Sequence, residues 1–354
     1  MIDKNEGDTV TIRLPKGWRV DHTGSTRSLP DGVTYTSHDA HMNVIEWLLD
    51  SDPAIRWQVM RDLADEPPDV VAAEHAKVAT EGWGAQLLAA QDPDGRWSGG
   101  TFFPEWISTE ATLTLLYRFG VDPMSEDARR AIAPVHEAAR WDYDPNLRFF
   151  EGEVEPCING RAVAIGAYFG QDVRGIVDRL LTEQMADGGW NCEQENGSTR
   201  GSFDSTLNVL EGLLEYEGST GANGDVAAAR VRGEEYLLER RLLRRLSDSE
   251  IPQKRWLYLG FPNAWFYDVA RVLDYLRSAR AAPDERMTEA LDILESKRDA
   301  DGRWPLDHAY HDRLLVDLGE SEGEPSRWIT LRGLRVLRWA DRVGRSTTEI
   351  PLSA

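Results

Sequence analysis

The sequence predicts an all-α fold in which six apolar inner helices alternate with six amphipathic outer helices and close into a ring. Two observations predict it. Apolar residues recur at helical spacing along most of the chain, as in ATLTLLYRFG at 111–120, LNVLEGLLEY at 207–216 and VARVLDYLRS at 269–278. Between such stretches one heptapeptide returns, as QDPDGRW at 91–97, QMADGGW at 184–190 and RDADGRW at 298–304. Each copy closes one helical pattern and precedes another, which is the mark of a repeating architecture.

Taken in order, residues 1–41 carry TVTIRL, Pro15, Gly17, SLPDG and VTYTSHD and read as an irregular or short β-hairpin extension, with Met42 an alternative start. The inner helices are expected near 53–64, 106–119, 158–169, 203–217, 262–279 and 326–341, where the segments are apolar and rich in small or aromatic residues. The outer ones are expected near 42–50, 70–91, 124–139, 171–185, 226–246 and 285–298, where a charged stripe runs along one face. The ring then occupies 42–342 and leaves 343–354 as a tail. Within each heptapeptide, Asp-Gly supplies the left-handed position that ends a helix. The Gln or Arg plane can lie against the indole, and the Trp staples the loop to the next helix, a structural use.

Composition narrows the function. The 354 residues are 41% hydrophobic and 29% charged, ordinary for a soluble globular protein. A net charge of −21 spread along the chain excludes nucleic acid or an anionic membrane as main partner. No apolar run has the length of a membrane span, and the first residues lack a signal peptide's apolar stretch, so the chain reads as cytoplasmic. Two cysteines are too few for a disulfide framework. Thirteen Trp is the unusual number, and it points to a repeated structural motif or an aromatic cavity.

If the inner helices run parallel, their N-termini meet at one mouth with free N–H groups and partial positive charge. Arg56, Arg161 and Arg327 fall in the first turns of three of them and would suit a diphosphate or carboxylate. The alternative is that each pairs with an acid such as Asp62, Glu110 or Asp204. Asp204, with Asn208 one turn later on the same face, is the candidate cavity acid, or else it only caps its helix. The aromatics Trp106, Tyr168, Phe203, Trp265, Tyr267 and Trp328 either wall a cavity or pack between helices.

The Gln-x-x-Asp-Gly-x-Trp loops resemble the repeats of the squalene cyclase and protein prenyltransferase β-subunit superfamily, whose fold is an α/α toroid; the resemblance covers about 42–342. EPCINGRAVAIGAYFG at 155–170, DGGWNCE at 187–193 and EPSRWITLRGLRVLRWAD at 324–341 resemble a group of single-toroid bacterial proteins of prenyltransferase or squalene-cyclase-like type. The resemblance implies a cyclase-like or prenyltransferase-like enzyme with a small isoprenoid or other apolar substrate in the central cavity. The Asp-x-Asp-Asp acid of the class II cyclases does not occur in the chain. The prenyltransferases hold zinc with an Asp, a Cys shortly after it and a later His. Asp187, Cys192, His308 and His311 supply a similar inventory at different spacing, and Cys157 could join Cys192 if the two meet. Zinc is the one cofactor this inventory admits. A lipid- or protein-binding toroid without catalysis and a zinc-dependent transferase therefore stand beside the cyclase reading.

Overall fold

The computed structural model describes residues 43–221 and 224–346, the side chains as far as 341, and only the strands within the first 42 residues. The chain divides into two units, Met1–Trp47 and Leu48–Ala354. In the first, β1 (Asp3–Asn5), β2 (Thr9–Leu14) and β3 (Trp18–Asp21) form an antiparallel sheet with β2 central, Asp3 facing Thr11 and Leu14 facing Trp18. A second pair joins β4 (Arg27–Ser28) to β5 (Thr34–Tyr35). The other residues expected in the extension, and 347–354 of the expected tail, lie outside the described residues.

The second unit is mostly helical. After α1 (Val44–Leu49), which straddles the boundary, come α2 (Pro53–Asp62), α3 (Pro68–Ala76), α4 (Gly82–Ala89), α5 (Thr109–Phe119) and α6 (Glu126–Ala138). A short hairpin, β6 (Arg140–Trp141) and β7 (Asp144–Arg148), precedes α7 (Pro156–Tyr168), α8 (Arg174–Thr182), α9 (Phe203–Thr220) and α10 (Gly224–Glu239). The chain ends on α11 (Val269–Ala279), α12 (Thr288–Ser296) and α13 (Arg327–Ser346). No described helix is long and apolar enough to cross a membrane.

Helix α5 packs on α7, α7 on α9, α9 on α11, α11 on α13, and α13 on α2. Helices α2 and α5 meet where Trp57 Nε1 donates to the Phe119 carbonyl at 2.9 Å. A second set packs against these, with α8 on α7, α10 on α9 and α12 on α11. Helices α7 and α9 approach closely: a Cβ at Gly212 would lie 2.2 Å from the Gly160 carbonyl oxygen, and one at Gly160 2.5 Å from that of Asn208.

Each Trp loop performs the same bridging. The indole N–H of Trp97, Trp190 and Trp304 donates at 2.8, 2.7 and 2.7 Å to the carbonyl ten residues earlier, Leu87, Leu180 and Leu294. Those carbonyls lie in the last turns of α4, α8 and α12, where the regular i+4 donor is missing; Leu87 and Leu294 also accept at 3.2 Å from the helix-end N–H groups of Ala90 and Lys297. The backbone N–H of each Trp donates at 3.1, 3.0 and 3.0 Å to Thr109, Thr206 and Thr330, in the first turns of α5, α9 and α13. All three Trp are fully buried, and Gly95, Gly188 and Gly302 take positive φ as the loops require. Only Arg298 lies over its indole, 5.3 Å from the ring centre. Gln91 and Gln184 instead donate to loop and neighbouring-helix carbonyls, Gly95 and Ala131, Gly188 and Ala229.

Several boundaries differ from the sequence expectation. The segment 70–91 is two helices, and Gly82, on which the second begins, takes positive φ. Residues 106–108 are loop, with Trp106 at φ 69° and Ser108 capping α5. Residues 262–268 are also loop; Pro262 cannot donate within a helix, and Asp268 caps α11 by accepting from the Arg271 N–H. The hairpin at 140–148 was not expected. Replacing Thr206 by Val leaves the buried Trp190 N–H without its acceptor and should lower stability by about 1–3 kcal/mol in chemical denaturation, with Thr206→Ser recovering most of the loss.

Candidate functional site

Three aromatic side chains and one buried ion pair make the most site-like arrangement in the helical unit. Glu110, the second residue of α5, and Arg161, in the second turn of α7, are both about 5% exposed, with Arg161 Nη2 3.0 Å from Glu110 Oε1. Glu110 also accepts from Thr114 Oγ1 at 3.1 Å. The Arg161–Glu110 contact lacks hydrogen-bond alignment, and Arg161 Nε and Nη2 have no hydrogen-bond acceptor among the described residues. The guanidinium is flanked by Phe102 and Trp265, at 5.7 and 5.6 Å from the ring centres, close enough for cation–π attraction. Trp265 stacks on Phe102 at 6.5 Å and on Trp106 at 6.1 Å.

These rings stand on loops, so what fixes the loops fixes the site. Asp142, in the turn of the β6–β7 hairpin, accepts from the backbone N–H of Thr101, Phe102 and Phe103 at 3.0, 2.7 and 2.8 Å. Asn208 donates to the Trp265 carbonyl at 2.9 Å, and Arg271 Nη1 donates to the carbonyls of Ala264 and Phe266 at 3.1 and 2.7 Å. Asp204 accepts from the Tyr267 N–H at 3.0 Å and from Arg255 Nη2 at 2.9 Å. Asp204 is not the cap of α9, since Ser202 accepts from the Ser205 N–H in that role. Both Asp204 and Asn208 therefore position the 263–267 loop, and Asn208 reaches Asp204 only through its backbone carbonyl.

The aromatic pocket adjoins two others. A chamber lined by Phe102, Trp106 and Trp265 shares Arg161 and Thr114 with a second, which shares Arg118, Glu211 and Arg271 with a third. The first two are narrow, each with room for about two waters. In the second, the buried Glu211 carboxylate takes two bonds from Arg271, at 3.0 and 2.7 Å, and one from Arg118 at 2.5 Å. Burial alone would raise its pKa, but Arg118 and Arg271 outweigh burial and hold it at about 2. Glu215, in the third chamber, accepts from Tyr117 Oη at 3.1 Å; its pKa is raised by burial, which the Tyr117 bond and Arg118 offset only in part.

The three predicted arginines do not converge. Arg161 sits one turn deeper than expected because α7 already begins at Pro156. Arg56 pairs with Glu74 at 2.5 Å and donates to the Ser51 carbonyl, and Arg327 donates to the Asp50 carbonyl at 3.1 Å. Tyr267 and Trp328 are core residues: the first is fully buried with its hydroxyl on the Leu242 carbonyl, the second stacks on Phe261 at 4.3 Å.

Of the proposed metal ligands, the structure brings together Cys157 and Cys192, with Sγ atoms 2.8 Å apart, and adds Glu155. Asp187 instead accepts from the N–H groups of Gly189 and Gly201. His308 pairs with Glu322 at 2.7 Å, and His311 lies edge-on to Trp106, its pKa lowered by burial. Asp142 and Arg271 carried no periodic or motif signal in the sequence. The chain matches no known protein-family profile and no curated protein.

Because the Glu211 pKa is depressed in the folded chain, its contribution to stability is present above the unfolded carboxyl value of about 4.3 and is lost as pH falls toward 2. Glu211→Gln should flatten the acid side of the stability–pH curve between those limits while lowering stability at pH 7, as measured by urea unfolding across pH.

Proposed function

We propose that the second unit is an α/α toroid and that its axial chambers are the substrate site of a cyclase- or transferase-type enzyme acting on a short isoprenoid or similarly apolar molecule. The toroid reading is supported by the order of neighbours α2, α5, α7, α9, α11, α13 and back to α2, and by the repeated Trp loops that resemble those of the cyclase and prenyltransferase superfamily. The observation that carries the substrate reading is the aromatic chamber ending on Arg161, whose Nε has no acceptor. An apolar chain would lie against Phe102, Trp106 and Trp265, with its oxygen-bearing end on the guanidinium. The ring faces would favour positive charge developing on carbon as a carbon–oxygen bond weakens. Glu110 and Glu105 line the same chamber, and Glu110, beside Arg161, is the base we assign. With room for about two waters each, the first two chambers would take the polar end of a short chain, its remainder lying along the part-exposed faces of Trp106 and Trp265, and they leave no room for a triterpene.

One observation favours binding without chemistry: Glu110 is already engaged by Arg161 and Thr114. The zinc-transferase reading rests on the thiol pair, because Asp187, His308 and His311 are engaged elsewhere.

Geraniol and geranyl diphosphate probe the site. At least one should raise the melting temperature of the full chain, because a ligand specific to the folded state stabilises it by mass action. Trp106→Ala, at the half-buried mouth, should abolish the rise. Product seen by gas chromatography supports the enzyme, and a shift without product supports the binding reading. No shift with either compound removes the chamber as an isoprenoid site.

A further inference from the structure

Cys157 and Cys192 are 35 positions apart in sequence, yet their Sγ atoms are 2.8 Å apart, and neither residue is fully buried. Cys157 is the second residue of α7 and Cys192 follows the second Trp loop, so the pair links a helix start to the loop that leads into α9. The surroundings of the two sulfurs differ. Glu155 Oε2 lies 3.7 Å from Cys157 Sγ, and its negative charge disfavours a thiolate there. Ser205 Oγ donates to Cys192 Sγ at 3.3 Å, which favours a thiolate at Cys192.

We propose that Cys157 and Cys192 form a reactive dithiol site for small disulfide oxidants of the glutathione class, with Cys192 the attacking thiol and Cys157 the resolving one. The Cys192 thiolate attacks one sulfur of the oxidant, forming a mixed disulfide and releasing one thiolate. Cys157, losing its proton to Glu155 or solvent, then attacks Cys192 Sγ and expels the second thiolate. The chain loses two electrons and two protons, and one oxidised glutathione becomes two reduced ones. The sulfurs need only close from 2.8 Å to about 2.0 Å. Cys157 stands four residues before Arg161 on α7, so the bond would fix the helix turn that precedes the chamber's guanidinium. This inference does not rest on the isoprenoid reading.

The test challenges the reduced full chain with oxidised glutathione and reads intact mass and non-reduced peptide maps. The wild type should lose two hydrogens, keep no glutathione and show the two cysteine peptides linked. Cys157→Ser should retain one glutathione on Cys192, and Cys192→Ser should react on the order of tenfold more slowly. Glutathione persisting on wild-type Cys192, or no reaction while the urea-unfolded chain reacts, would overturn the proposal. Equal rates for the two variants would overturn the assignment of roles. Protection by one equivalent of zinc, lifted by a chelator, would replace the dithiol site by a metal site.

Discussion

A carboxylate buried among helices must be matched where it stands, and the ion pairs of Glu211 are the constraint from which the site follows. Leaving one charge of such a group unpaired costs several kcal/mol, so Arg118 from α5 and Arg271 from α11 are both drawn to α9. Arg271 then has donors to spare, and they take the carbonyls of Ala264 and Phe266 on either side of Trp265. The aromatic wall thus hangs on a charge pair in the neighbouring chamber. Asp204 and Asn208 extend the same bracing to Tyr267 and Trp265.

The mouth is built from the other side by a different device. Asp142 gathers three consecutive N–H groups of the 101–103 loop and so sets Phe102 against Arg161. Both loops carry rings that are only half-buried, Phe102 and Trp265, so packing holds them less than it would in the core. Polar anchoring lets these rings stay part-exposed beside the chamber while they stack on one another.

The helical content was legible because amphipathic spacing reports burial directly, and the Trp loops were legible because glycine at positive φ and a stapling indole recur at one spacing. Helix ends at 106–108 and 262–268 were not, because aromatic-rich loops continue the apolar period although Ser108 and Asp268 are the caps. The arginines were found as cations near helix starts, but the residue on which α7 begins decides that Arg161 faces the chamber. The roles of Asp142, Glu155 and Arg271 are set by residues distant in sequence, so no local pattern announces them. Sequence alone leaves the two thiols 35 positions apart, and only the fold brings them together.

The central claim is that the chamber between Phe102, Trp106 and Trp265 receives a molecule whose polar end meets Arg161. The most direct measurement is a crystal structure of the full chain soaked with a short isoprenoid alcohol. The account predicts density for the chain between those rings, with the oxygen within hydrogen-bond distance of Arg161 Nε. Density elsewhere, or a chamber unchanged with the compound excluded, would contradict it.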